Sequence, residues 1–145
     1  VELPSAVGVI NELAREADFI SIGTNDLVQY MLAVDRTNRL IKDMYQCYHP
    51  AILRAIRAIA DAAARENTPL SLCGDAAAEP AMIPFLVGAG LRALSVTPHA
   101  VPKIRRTIQT LSCAAAREHA EKLLRMGTIA EVGAELDKIK AAQQA

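Results

Sequence analysis

Apolar positions along this chain fall into two alternating kinds of pattern. Between Ser5 and Glu16, Val7, Ile10, Leu13 and Ala14 recur at helical spacing. Asp18-Phe19-Ile20-Ser21-Ile22-Gly23 follows, a short apolar run rich in β-branched and aromatic residues that stops at glycine, the pattern of a buried parallel strand. Leu27–Val34 predicts a short helix. From Pro50 to Arg65, Ile52, Ile56, Ile59, Ala60 and Ala63 share one helical face, and Pro50 suits the first turn. Leu70-Ser71-Leu72-Cys73-Gly74 predicts a second strand and Glu79–Val87 a helix, closed by Gly88-Ala89-Gly90 as a C-terminal cap. Leu91–Val96 reads as a third strand. Val101, Ile104, Ile108 and Leu111 mark a further amphipathic helix, and Ala114–Arg125 and Thr128–Ala142 two more, parted by Gly127.

Strands alternating with helices predict a parallel sheet covered by helices, an α/β fold. Three full strands and a stump at Val1-Glu2 are too few to close a barrel, which needs about eight. Periodicity alone leaves an open doubly wound sheet and a piece of barrel equally available. The chain begins without methionine at a strand end, so it is expected to be a fragment or processed piece.

Composition narrows the class. Of 145 residues, 52% are hydrophobic but only 3% aromatic, with no tryptophan, which favours alanine-rich helices packing closely over an all-β sandwich. Sixteen basic residues balance sixteen acidic ones, so the concentrated positive footprint of a nucleic-acid binder is missing. Any anionic ligand must be held by a few local groups. Cys47, Cys73 and Cys113 are odd in number and widely spaced, which points away from zinc and disulfides and toward a reducing, cytoplasmic setting. No apolar run has transmembrane length, and Glu2 and Pro4 interrupt any signal-peptide pattern.

In both α/β architectures ligands bind where strands end and the next loops begin. Those positions carry Glu2; Gly23-Thr24-Asn25-Asp26; Cys73-Gly74-Asp75; and Ser95-Val96-Thr97. Two carboxylates, an amide and a thiol are expected on one rim. A metal held by Glu2 and Asp26 would be a hard, oxygen-seeking ion such as Mg²⁺. Singly, each residue has an ordinary reading: Asp26 as a helix cap, Cys73 as buried packing, Arg36 as a surface ion pair with Asp35 or a nearby Glu. His49, before Pro50, reads as a structural or solvated loop residue.

Ser21-Ile22-Gly23-Thr24-Asn25-Asp26-Leu27, continuing through Gln29-Tyr30 to Ala33-Val34-Asp35-Arg36, resembles a signature of the phosphoenolpyruvate-utilising enzymes, and its ending is most similar to enzyme I of the bacterial sugar phosphotransferase system. Leu72-Cys73-Gly74-Asp75 resembles that family's Cys-Gly-Glu motif, and Val1-Glu2-Leu3-Pro4-Ser5-Ala6 its Glu-x-Pro-x-Ala segment. The three motifs stand in order across residues 1 to about 110. The resemblance implies the C-terminal half of a phosphoenolpyruvate-binding (β/α)₈ TIM barrel over residues 1–112, with 113–145 as a helical extension. It implies Glu2 and Asp26 as Mg²⁺ ligands, Asn25, Asp26 and Arg36 as substrate-binding residues, and Cys73 as the acid that protonates the enolate to give pyruvate. It further implies phosphoryl transfer to a histidine of a separate N-terminal domain, the carrier protein HPr as partner, and a homodimer, the 145-residue piece being inactive alone. A pyruvate phosphate dikinase or phosphoenolpyruvate synthase fragment, the nitrogen-related paralogue and a non-catalytic dimerisation module are the alternatives. Asp75 departs from the motif by one methylene.

Overall fold

The computed structural model describes residues 1–144. Three parallel strands, β1 (Ile20–Gly23), β2 (Leu70–Cys73) and β3 (Ala93–Ser95), lie side by side in chain order. The connections are helical: α1 (Pro4–Gly8) and α2 (Ile10–Glu16) precede β1; α3 (Thr24–Leu32) and α4 (Pro50–Glu66) join β1 to β2; α5 (Asp75–Ala78) and α6 (Ile83–Gly88) join β2 to β3. α7 (Val101–Gln109), α8 (Cys113–Arg125) and α9 (Ile129–Gln144) follow. The mixed α/β class and all three strands therefore match the sequence pattern.

Register fixes the rim. Ile22 pairs with Leu72 and Leu72 with Leu94; one step on, Gly23, Cys73 and Ser95 form a row across the sheet. Beside β1, the Val1 amino group donates to the Ser21 carbonyl and the Gly23 N–H donates to the Val1 carbonyl at 3.0 Å. That pair of bonds is the pattern of a parallel ladder opposite Ile22, and it brings Glu2 level with the Gly23–Cys73–Ser95 row.

Alternation along the strands separates two faces. Ile20, Ile22 and Leu72 are buried in one continuous core with Leu27 and Val28 of α3, Ile52, Ile56 and Ile59 of α4, and Phe85 and Leu86 of α6. Each such aliphatic side chain contributes about 1.5–3 kcal/mol on burial. The opposite face presents Ser21, Ser71 and Cys73, which are half-buried, and Ala93 and Ser95, which are exposed. Helices thus cover one face of the sheet, while the other carries small, mostly polar side chains.

Local chemistry explains most element ends. Pro50 opens α4, where the Ala51 N–H donates to His49 Nδ1 at 3.1 Å. Asn67 in the left-handed conformation closes it. His49 therefore caps a helix, in line with its structural reading. Ser112 caps α8 through the Ala115 N–H, and Thr128 with Glu131 forms a reciprocal capping box ahead of α9. Two expectations need correction. The first helix is broken at Val9, whose backbone leaves helical geometry (φ −121°, ψ 26°), so α1 and α2 are separate. The helix expected from Glu79 begins only at Ile83, after a 3₁₀ turn at Pro80–Met82 that Pro80 opens. The expected Gly88-Ala89-Gly90 cap does close α6, and Gly88 has a second use: a Cβ there would lie 2.0 Å from the Ala116 carbonyl oxygen, so it is the bare surface on which α8 packs against α6. The positive φ in that turn belongs to Gly90. Among the described residues, no helix is long and apolar enough to cross a membrane.

Candidate functional site at the carboxyl edge of the sheet

Gly23 ends β1 and stands at the N-cap of α3, so the chain passes from strand to helix without a loop. Thr24, Asn25 and Asp26 therefore occupy the first helical turn, three residues earlier than the apolar pattern suggests, and Asp26 sits inside the helix rather than capping it. An acidic residue there is favoured by the helix dipole.

Two hydrogen bonds lock this turn to the end of β2. The buried Thr24 hydroxyl donates to the Cys73 carbonyl at 2.8 Å, and the Asp75 N–H donates to Asn25 Oδ1 at 2.8 Å. With Oδ1 engaged, the amide of Asn25 keeps two N–H donors that make no hydrogen bond among the described residues. Gly74 makes the fit possible. Its backbone lies at φ 95°, ψ −169°, and a Cβ would come within 2.4 Å of Thr24 Oγ1 and 2.6 Å of Asn25 Oδ1. The glycine in Cys73-Gly74-Asp75 is thus explained by both conformation and space.

Asn25, Cys73, Gly74, Asp75, Ser95 and Thr97 line an open cleft of about 420 Å³ above the end of the sheet. Cys73 is half-buried at its floor and, by strand alternation, faces away from the helical core, on the side that carries Ser95. The structure thus brings Asn25 and Cys73 together. Glu2, Asp26 and Arg36 are not part of that lining. Glu2 lies beside it, its carboxylate resting over Gly23, where a Cβ would be 2.5 Å from Oε1. Asp26 is half-buried one residue beyond Asn25. Arg36 is exposed in the α3–α4 connection. Among the described residues Arg36 makes no ion pair with Asp35 or a Glu; Asp35 Oδ1 instead accepts from the Thr37 N–H at 2.8 Å and the Thr37 hydroxyl at 2.7 Å. Those two bonds also hold the Asp35 carboxyl below its ordinary pKa, with the Arg36 charge adding to the effect.

Sequence reasoning missed one residue at this rim. Tyr45 reaches back from the connection and its hydroxyl donates to the Asn25 carbonyl at 3.2 Å. Burial pushes its pKa up to about 12; the charges of Asp75 and Asp26 add to the rise and that of Arg36 opposes it, so all three stand within electrostatic reach of the phenol. Cys47 is half-buried against the core. Its thiol is pushed up to about 11, first by burial and then by Glu79 and Asp75. It stays protonated, in keeping with a packing role. A long connection between helices, with no hydrophobic period, gives no sequence signal for where its aromatic residues land.

No cluster of three or more His, Cys, Asp or Glu side chains suited to a metal occurs among the described residues. The donor set of Glu2 and Asp26 nevertheless fits a Mg²⁺-type ion, which takes one or two carboxylates and completes its shell with phosphate oxygens and water. The Glu2 carboxylate rests over Gly23, and Asp26 follows Gly23 by three residues in the first turn of α3, at the same edge of the sheet.

The model of the family described as "PEP-utilising enzyme, PEP-binding domain" matches residues 1–113. The chain is 42% identical over 132 residues to the phosphoenolpyruvate-protein phosphotransferase of Bacillus subtilis (strain 168), covering 91% of this chain and 23% of that protein. It is similar to the proteins of the same name from Latilactobacillus sakei (39% over 128 residues, 88% of this chain and 22% of the relative) and Listeria monocytogenes (36% over 141 residues, 97% and 25%). The chain thus spans about a quarter of the length of the curated relatives it matches.

Proposed function

The chain belongs to the PEP-binding domain family of the PEP-utilising enzymes, and on that premise we propose that it is the C-terminal part of the phosphoenolpyruvate-binding barrel of a phosphoenolpyruvate-protein phosphotransferase. The observation that carries this reading is the rim: Glu2, Gly23, Cys73 and Ser95 level with one another, and Asn25 tied to Asp75 over a cleft at the carboxyl edge of a parallel sheet. The barrel itself is supported by the uncovered sheet face. Parallel sheets are ordinarily covered on both faces, and further strands closing over Ser71, Cys73 and Ser95 would supply the missing cover. Residues 113–145 read as an extension of the same unit, since Leu123, Val132 and Leu136 join the core built by the preceding helices.

Each residue's proposed role follows from its chemistry. The free N–H donors of Asn25 orient an anionic substrate oxygen, and Arg36, unpaired by hydrogen bonds among the described residues, grips a carboxylate or phosphate in forked geometry. Glu2 and Asp26 would hold Mg²⁺, whose charge offsets that of the phosphate. Once the phosphoryl group has left phosphoenolpyruvate for a histidine of another domain, an enolate remains. Cys73 then gives its S–H proton to the terminal carbon of the enolate; pyruvate forms, and the thiolate left behind regains a proton from water. Onward transfer to HPr, a cytoplasmic location and a homodimer belong to the same proposal.

The test is the Cys73→Ala variant of the full-length enzyme. Phosphoenolpyruvate binding in the presence of Mg²⁺ is expected to persist, measured by calorimetry, while pyruvate release falls by about 10²–10⁴-fold, the usual contribution of a positioned acid. Normal pyruvate release would remove Cys73 from the role. A wild-type enzyme that binds no phosphoenolpyruvate would remove the site altogether.

A further inference from the structure

The 35–48 connection carries the one cationic side chain assigned to the site, yet it is fastened mostly to itself. Asn38 N–H donates to the Asp35 carbonyl, Leu40 N–H to Asn38 Oδ1, Ile41 N–H to the Asn38 carbonyl, Met44 N–H to the Ile41 carbonyl and the Gln46 side-chain amide to the Asp43 carbonyl. Among the described residues, the single hydrogen bond from this stretch back to the body of α3 is that of the Tyr45 hydroxyl to the Asn25 carbonyl. Asn25 lies in the first turn of α3, and its side chain is already fixed to the end of β2 through Asp75. The phenol thus completes a chain of contacts from β2 through Asn25 to the segment bearing Arg36. Tyr45 also has a packed base: with Cys47 and Tyr48 it lies against the core, whereas residues 35–40 are all exposed. The ring is therefore held, and its hydroxyl is aimed by the core rather than by the mobile end of a long side chain.

We propose that Tyr45 is a positioning residue of the rim, whose hydroxyl pins the Arg36-bearing connection to the first turn of α3 so that Asn25 and Arg36 meet the substrate as one unit. This rests on the site reading above and deepens it. Tyr45 touches no reacting atom; it acts through the two residues that do the gripping. Because Asn25 and Arg36 hold the substrate before and during the reaction alike, loosening them weakens binding without slowing the chemical step in proportion.

The test is Tyr45→Phe in the full-length enzyme, alone and combined with Arg36→Ala. Loss of one neutral hydrogen bond is expected to raise the KM for phosphoenolpyruvate about three- to tenfold with kcat changed less than about twofold. In the Arg36→Ala background the same change is expected to have a clearly smaller effect, since the tether then acts only through Asn25, which Asp75 already holds. Amide hydrogen exchange at Thr37 and Leu40 is expected to quicken in Tyr45→Phe whether or not substrate is present. An unchanged KM, a fall confined to kcat, effects that simply add to those of Arg36→Ala, or unchanged exchange would each overturn the proposal. Failure of the underlying site reading looks different: Arg36→Ala would then leave phosphoenolpyruvate affinity intact in an otherwise unaltered enzyme.

Discussion

Replacing Gly74 with alanine probes the junction between β2 and α3, where conformation and space both demand the absence of a side chain. The backbone at φ 95°, ψ −169° lies in a region that is essentially restricted to glycine, and forcing an L-residue there costs about 1–3 kcal/mol. The added Cβ would also stand 2.4 Å from Thr24 Oγ1 and 2.6 Å from Asn25 Oδ1, well inside van der Waals contact. Those two atoms make the Thr24–Cys73 and Asp75–Asn25 hydrogen bonds, so relieving the clash breaks at least one of them, at about 0.5–1.5 kcal/mol each. The two contributions together predict a loss of about 2–4 kcal/mol, a large share of a domain's net stability. Urea denaturation of the chain, followed by circular dichroism, measures it as a fall in midpoint at constant slope. A loss below about 0.5 kcal/mol would refute the reasoning, because neither strain nor clash could then be present at the size the geometry gives.

Two further predictions concern the helical part. Gly88→Ala drives a methyl group into the backbone of α8, with the Ala116 carbonyl oxygen at 2.0 Å and the Ala120 Cβ at 2.9 Å, so α6 and α8 must separate; a destabilisation of about 2–3 kcal/mol or more is expected in the same urea assay. His119 on α8 has a buried Nε2 with no hydrogen-bond partner among the described residues, and burial lowers its pKa from 6.5, against the opposing pull of Glu135 and with the help of Lys122. The unfolded chain therefore binds the proton more readily than the folded one, and stability is expected to fall as pH drops below about 6.5. Glu135 adds a separate loss at more acid pH, because Lys122 and Lys138 hold its carboxyl below the ordinary value. His119→Phe should flatten the upper part of this profile and leave the more acid part in place; an unchanged slope between about pH 5 and 7 would exclude His119 as its source.

The chain's local order was legible because each element advertises itself over a few residues. Ile20-Ser21-Ile22-Gly23 and Leu70-Ser71-Leu72-Cys73 are too short and too apolar for surface helices, and they are the strands β1 and β2. Pro50 and the Ile52–Ile56–Ile59 face mark α4 within a residue at each end. The candidate residues Glu2, Asn25, Asp26 and Cys73 were read as strand-end chemistry, Arg36 only through the family resemblance, and Asn25 and Cys73 do meet in one cleft. What failed locally was a feature whose signal is ambiguous, a Pro-containing segment that starts with a 3₁₀ turn before becoming α6.

Hydrophobic period, capping residues and turn chemistry act between near neighbours, so the sequence alone determined the strands, most helices, the parallel α/β class and the residue types at the strand ends. Register, the tie of Thr24 and Asn25 across to Cys73 and Asp75, and the return of Tyr45 to Asn25 join residues 20 to 50 positions apart. Such contacts form only when distant elements have been packed against a shared core, and no local pattern encodes their distances. Tertiary structure therefore decided which of the rim's polar groups are already bound to one another, and which donors are left for a ligand.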